Sequence, residues 1–232
     1  MRLKNYILNE GRSKKISTGE ALDIISEKCT DVLKNETLIY RGLSKGTYHT
    51  AIVSPSNFER KSKYTSNYYT LLMDNLPAWK QYPKRSKSIV CTTDIRYAVD
   101  MGGGAAYRVL PFNGSKIGVC PSSDLWGAFK LDIDGLDDFN YGIRAMIKVY
   151  ELENKVEDTN KYSDLVELFD LIDKAKQEHG EMSNPYYRVM FKSYFETDVK
   201  LIDFVKEIFD PKRHKFSLET TKTFKNIHNR EI

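Results

Sequence analysis

Four short runs rich in β-branched and aromatic residues crowd between residues 37 and 121: TLIYRG, KSIVCTTD, AAYRVLPF and, after an Asn113-Gly114 turn, KIGVCP. Each is bounded by turn-forming residues and reads as a strand, so the first half of the chain is committed to a sheet. Short helices interrupt it. NYYTLLMDNLPAWKQYP is helical until Leu76, because Pro77 disfavours helix at the residue before it, and IRYAVDM predicts one short helix before a GGG loop. Ahead of the sheet, Ser17 and Glu20 form a capping-box pair. Leu22, Ile25, Cys29, Val32 and Leu33 then recur at helical spacing, which predicts one amphipathic helix to about Lys34. From Leu131 to Ile232 the chain turns charged, largely helical and nearly free of glycine. Ser163 is the expected cap of a stripe of Leu165, Leu168, Phe169 and Ile172, and Thr197 that of Leu201, Phe204, Val205 and Ile208. The expected fold class is α+β, a split mixed sheet with flanking helices and a helical C-terminal region. The expected organisation is a detachable segment at 1–10, a core at 11–130, and a helical region at 131–232 that packs on the core and returns to the sheet at its end.

Composition excludes several function classes. With 232 residues, 41% of them hydrophobic, the chain can bury one sizeable core. No apolar run approaches the roughly 20 residues of a membrane span, so no membrane partner is expected. Lys and Arg exceed Asp and Glu by 36 to 32, too diffuse an excess for a dedicated nucleic-acid binder. Cys29, Cys91 and Cys120 are odd in number and widely spaced, which predicts reduced core thiols and a cytosolic setting. His49, His179, His214 and His228 show no ligand spacing, so no metal is expected. No nucleophile-elbow glycines surround Ser88 or any other serine. GGGAAYR lacks the Lys-Ser/Thr of a P-loop, and LDIDGLDD lacks the terminal glutamate of a calcium loop.

What stands out is Arg41-Gly42 at the end of TLIYRGL. A guanidinium at the edge of a core needs an anion, a carbonyl cluster or open water, and the glycine beside it allows close approach to the backbone. Followed by SIVCTTD and then AYRVLPFNGSKIGV, this order resembles the arginine-serine-glutamate class of ADP-ribosyltransferases over roughly Thr37 to Pro121. In that class a first-strand arginine, a Ser-Thr-Ser strand and a late glutamate enclose NAD. The resemblance implies that Arg41 holds the phosphate and ribose side of NAD and that Thr92, with Thr93 next, supports the nicotinamide ribose. Cys91 departs from the family's first serine, and Ser88 stands three residues earlier. It further implies Gly42 beside the dinucleotide and Tyr69 as a wall for nicotinamide, although Tyr64, Tyr68, Tyr69 and Trp79 read equally well as core or as an exposed aromatic surface.

The family's glutamate has two candidate positions. Glu151-Leu152-Glu153 spells the acidic pair whose first member orients an incoming arginine, and would follow a strand through Met146 to Tyr150; YELENKVED also reads as a solvated acidic face. Glu231 in HNREI resembles the arginine-glutamate-apolar entry to a final strand in phage proteins of this sort, but the strand that would fix it is expected to be missing, as in an atypical enzyme or a truncated or inactivated relative. MRLKNYILNEGRS resembles the capsid-targeting leader of internal head proteins in large contractile-tailed phages, with Leu8-Asn9-Glu10 the expected prohead-protease signal. The resemblances imply a mono-ADP-ribosyltransferase with NAD as substrate, partnered by the head scaffold and prohead protease in the virion and by a protein target in the host cytoplasm. The alternative they leave open is a non-catalytic injected protein of the same fold that inhibits a host defence or polymerase component.

Overall fold

The computed structural model describes residues 14–43, 50–55, 60, 66–129, 136–153, 160–180, 188–189 and 191–232. The expected leader, Tyr64 and the acidic loop at 131–135 lie outside them. In chain order the elements run β1 (Lys14–Lys15), α1 (Thr18–Lys28), α2 (Thr30–Leu33), β2 (Ile39–Gly42), β3 (Ala51–Ile52), α3 (Tyr68–Asn75), α4 (Ile95–Gly102), β4 (Ala106–Val109) and β5 (Lys116–Val119). Then follow α5 (Leu136–Val149), α6 (Tyr162–His179), α7 (Lys192–Phe195), α8 (Leu201–Ile208) and β6 (Ser217–Thr220). The class is α+β.

The chain forms two interleaved compact units, one of residues 1–60, 81–124 and 216–232, the other of 61–80 and 125–215. The division expected from chain order broke at 130. In the structure the segment with α3 instead joins the helical unit, and the last seventeen residues join the sheet unit.

Among the described residues the sheet unit rests on three antiparallel pairs, β1 with β3, β2 with β4 and β5 with β6. Ile39, Cys91, Ile117, Val119 and Phe224 form its buried apolar layer, flanked by Ile89, Val109, Ile227 and Ile232. Helix α4 begins where the Asp94 carboxylate accepts the Arg96 backbone N–H at 2.8 Å and stops at Gly103, whose φ of 73° is left-handed. It packs on β2 through two glycines. A Cβ on Gly42 would lie 1.9 Å from the Ala98 carbonyl oxygen, and one on Gly102 would lie 2.4 Å from the Leu43 nitrogen. The glycine after Arg41 is therefore required by a helix crossing, which accounts for it without a ligand.

Helix α1 starts as the sequence predicts, with the Ser17 hydroxyl accepting the Glu20 N–H at 3.2 Å. The predicted single helix breaks at Cys29, which shifts the phase of the stripe: Val32 is buried, while Leu22 and Leu33 are exposed. A polar knot fixes α2. Buried Thr221 donates its hydroxyl to Asp31 at 3.0 Å and accepts the Gly114 N–H at 2.8 Å, while Asn35 donates to the Thr221 carbonyl at 2.8 Å.

The helical unit is built on aromatic side chains. Phe129, Phe139, Phe191 and Phe209 are fully buried, with the Phe129 and Phe209 ring centres 4.9 Å apart. Trp79, just past α3, donates its indole N–H to the Phe209 carbonyl at 2.7 Å. Two caps differ from expectation. Helix α6 starts at Tyr162, with Asp164 accepting the Lys161 N–H at 3.0 Å, and Ser163 sits inside its first turn. Helix α8 starts at Leu201, whose N–H is accepted by the Asp173 carboxylate of α6 at 3.0 Å, while Thr197 donates to the Ser193 carbonyl instead. The strand expected through Met146 to Tyr150 is the end of α5, a helix with Phe139, Ile143 and Met146 on its buried side.

Because both walls around a Gly42 Cβ are backbone, Gly42→Ala must separate β2 from α4, at a cost of about 3 kcal/mol. At Gly19, in α1, a Cβ meets nothing within 4 Å, so Gly19→Ala is expected to stabilise by up to about 1 kcal/mol. Urea unfolding followed by circular dichroism separates the two; an unmoved midpoint for Gly42→Ala would exclude the crossing.

Candidate active site

Two isolated bridges, Tyr40 with Thr92 and Thr92 with Glu231, join strand pairs that would otherwise be separate. Tyr40 and Thr92 exchange both backbone hydrogen bonds at 2.8 Å. Cys91 and Ile232 do the same at 2.7 and 2.9 Å, and the Thr93 N–H reaches the Arg230 carbonyl at 3.0 Å. On the far side the Cys120 N–H donates to the Glu231 carbonyl at 2.9 Å, and the Glu231 N–H donates to the Ser122 carbonyl at 3.0 Å. The backbone at 230–232 is thus an interior segment. The expectation that the strand to fix Glu231 is missing is corrected, since residues 91–93 and 120–122 hold it on both flanks.

Directly opposed residues of antiparallel segments share a face. Tyr40, Thr92 and Glu231 therefore lie on one side, the side against which Gly42 meets α4. Ile39, Arg41, Cys91 and Ile232 lie on the other, which carries the apolar layer. Arg41 is half-buried there and donates from Nη1 to the Val90 carbonyl oxygen. The structure thus brings the backbones of Arg41, Thr92 and Glu231 onto three neighbouring segments but sends the Arg41 side chain to the opposite face.

The guanidinium that meets Glu231 is Arg85: Nη1 lies 3.4 Å from Oε1, and both side chains are 12% exposed. Arg85 opens a single 3-10 turn, Arg85–Lys87, whose exit is tied back by the Ser88 hydroxyl donating to the Lys84 carbonyl at 2.6 Å. Ser88, expected beside NAD, acts here on the turn that carries Arg85. Thr92 is buried, and its Oγ1 accepts the Asp94 N–H at 3.1 Å, which leaves the hydroxyl proton to donate elsewhere. The Thr93 hydroxyl oxygen accepts the Arg230 N–H at 3.0 Å and so locks the 230–232 segment.

Three further groups lie within electrostatic reach. Burial, then the charges of Asp124 and Glu231 and the Cys120 thiol, push the Tyr97 phenol up to about 12. Burial above all pushes the Cys120 thiol up to about 12; the Ser122 backbone opposes this, and the charges of Glu231 and Asp124 add to it. Chemically, the arrangement is a carboxylate sheltered from water and in contact with the Arg85 guanidinium, with a phenol and a thiol that stay protonated at neutral pH.

The remaining expected residues belong to the helical unit. Tyr69 is 5% exposed, with its ring centre 5.6 Å from that of Trp126, which makes it core. Glu151 and Glu153 are exposed at the end of α5, where Glu151 takes a φ of 54°. Among the described residues no cluster of three or more His, Cys, Asp or Glu gathers as metal ligands, and no helix is long and apolar enough to cross a membrane. Arg85 and Tyr97 were not singled out in the sequence. Arg85 sits in PKRSKS, which looks like a solvated basic run, and only its low exposure beside Glu231 marks it.

A thiol held near 12 carries almost no thiolate at pH 8. Iodoacetamide at that pH is expected to leave Cys120 unmodified in the native protein and to alkylate it after unfolding, as read by mass spectrometry. Rapid native alkylation of Cys120 would contradict the environment described. No protein-family model, no curated protein and no solved structure matches the chain.

Proposed function

We propose that the protein is an NAD-dependent mono-ADP-ribosyltransferase whose sheet unit is an ADP-ribosyltransferase-like split sheet. The observation that carries this reading is the backbone ladder from Tyr40 through Thr92 to Glu231. It sets YRG, CTTD and REI on neighbouring segments, and that adjacency supports the arginine-serine-glutamate reading. Of the candidate glutamates, Glu231 is the one on that ladder, and the reading assigns it the catalytic role.

In this reading the C–N bond between nicotinamide and its ribose breaks, and the bonding pair leaves with nicotinamide. Positive charge develops at the anomeric carbon and its ring oxygen. The Glu231 carboxylate accepts a ribose hydroxyl and stabilises that charge, an interaction far stronger in a site sheltered from water. The Thr92 hydroxyl donates on the same face and steadies the ribose. A nucleophilic side chain of the host target attacks the anomeric carbon from the opposite side, forms the new bond to it and releases its proton to water. The leader resemblance adds the setting: packaging in a phage head, cleavage by the prohead protease after Glu10, and injection into host cytoplasm.

One observation favours a second reading. Arg41 lies on the apolar face with its guanidinium on the Val90 carbonyl, which suits a fold kept as scaffold for a non-catalytic injected inhibitor of a host protein.

Incubating the full chain with labelled NAD and a bacterial lysate tests both. Label on lysate proteins is expected, lowered about 100- to 1,000-fold by Glu231→Gln, the scale of losing one stabilising group at a transition state. Glu151→Gln and Glu153→Gln are expected to keep it. Absence of both transfer and NAD binding by the wild type would sink the enzyme and favour the inhibitor.

A further inference from the structure

The carboxylate assigned to catalysis is a sheltered one, its side chain 12% exposed. Glu231 acts electrostatically on Tyr97 from α4 and on Cys120 after β5, as does Asp124; it meets Arg85 from the 3-10 turn, and Arg230 precedes it on its own segment. Low exposure by itself disfavours an anion there. Arg230 is exposed, so its charge is screened by solvent. Among the described residues Arg85 is a cation in contact, at 3.4 Å, and its side chain is as sheltered as that of its partner. An arginine cannot give up its proton to relieve the burial, so its charge is permanent at this position.

Resting on the transferase reading, we propose that Arg85 is the positioning residue for Glu231, holding the carboxylate ionised and aimed along the Thr92 face. Arg85 touches neither bond that changes; it acts through Glu231. The 3-10 turn supplies the precision. Its backbone closes through the Lys87 N–H to the Lys84 carbonyl at 3.0 Å, the Ser88 hydroxyl bonds the same carbonyl, and the Ser86 carbonyl accepts the Arg60 N–H at 2.8 Å. Ser86 itself is buried. A turn held at that many points gives the guanidinium a fixed root, which a long surface side chain otherwise lacks.

Two measurements on the full chain test this. The first is the titration of the Glu231 carboxyl, followed by carbon NMR in wild type, Arg85→Met and Arg85→Lys. The midpoint is expected to rise by about one unit or more in Arg85→Met and by less in Arg85→Lys. The second is NAD turnover across pH in the same proteins. Arg85→Met is expected to lower kcat by about 10- to 100-fold with KM for NAD little changed, and to move the acid limb upward with the NMR midpoint, while Arg85→Lys recovers part of both. An unmoved midpoint in an active wild-type background, or equal losses in the Met and Lys variants with an unmoved acid limb, would overturn the positioning role alone. A shifted midpoint in a wild type that never turns over NAD would instead overturn the transferase reading and leave the pair structural.

Discussion

Three residues, Arg230 to Ile232, carry more of the sheet unit than their number implies. Their backbone receives bonds from Cys91 and Thr93 on one flank and from Cys120 on the other, and gives bonds back to Cys91 and Ser122. Without them β5 with β6 is a two-stranded ribbon, marginal in water, and β2 with β4 keeps only the 91–93 segment beside it. The apolar layer of Ile39, Cys91, Ile117, Val119 and Phe224 would also lose Ile232 from its edge. Each buried N–H left without an acceptor costs about 1 to 3 kcal/mol, so the segment cannot be withdrawn piecemeal. The position of the Glu231 carboxylate is thus a by-product of what the sheet needs to exist.

Most of the strand-bearing half was legible because its signals are local. Tyr40 in β2, the Asn113-Gly114 turn with Gly114 at a φ of 78°, and Pro77 ending α3 each act within a few residues of where they stand. The C-terminal helices were legible in their apolar stripes but not in their starts. Asp173, one helix away and 28 positions earlier, supplies the acceptor for the Leu201 N–H, so the nearby Thr197 is free to cap elsewhere. Met146 to Tyr150 reads as a strand only in isolation. Extended back to Leu136, the same residues continue a helical stripe through Phe139 and Ile143.

The site was legible as far as the backbone and no further. YRG, CTTD and REI were each recognisable, and their segments are neighbours in space. Which face a side chain takes depends on pairing register, and no single run discloses that. Arg85 was hidden for a related reason: its neighbours Lys84 and Lys87 are exposed, so the run reads as a solvated face. Its partner Glu231 comes 146 positions later.

Register is in turn dictated by the apolar layer. A slip of one residue between β2 and 91–93, or between 91–93 and 230–232, exchanges the two faces of the segment that moves. It would bring Cys91 or Ile232 toward α4 and push Thr92 or Glu231 among Ile39, Ile117 and Val119. An unpaired carboxylate in that layer costs far more than the ladder bonds could recover. Ile39, Cys91 and Ile232 therefore choose the outlook of Glu231 by excluding the alternative, and the same alternation carries Arg41 to the Val90 carbonyl. The arginine that a motif names and the arginine that a carboxylate meets are then different residues, because one is set by sequence order and the other by the parity of a strand.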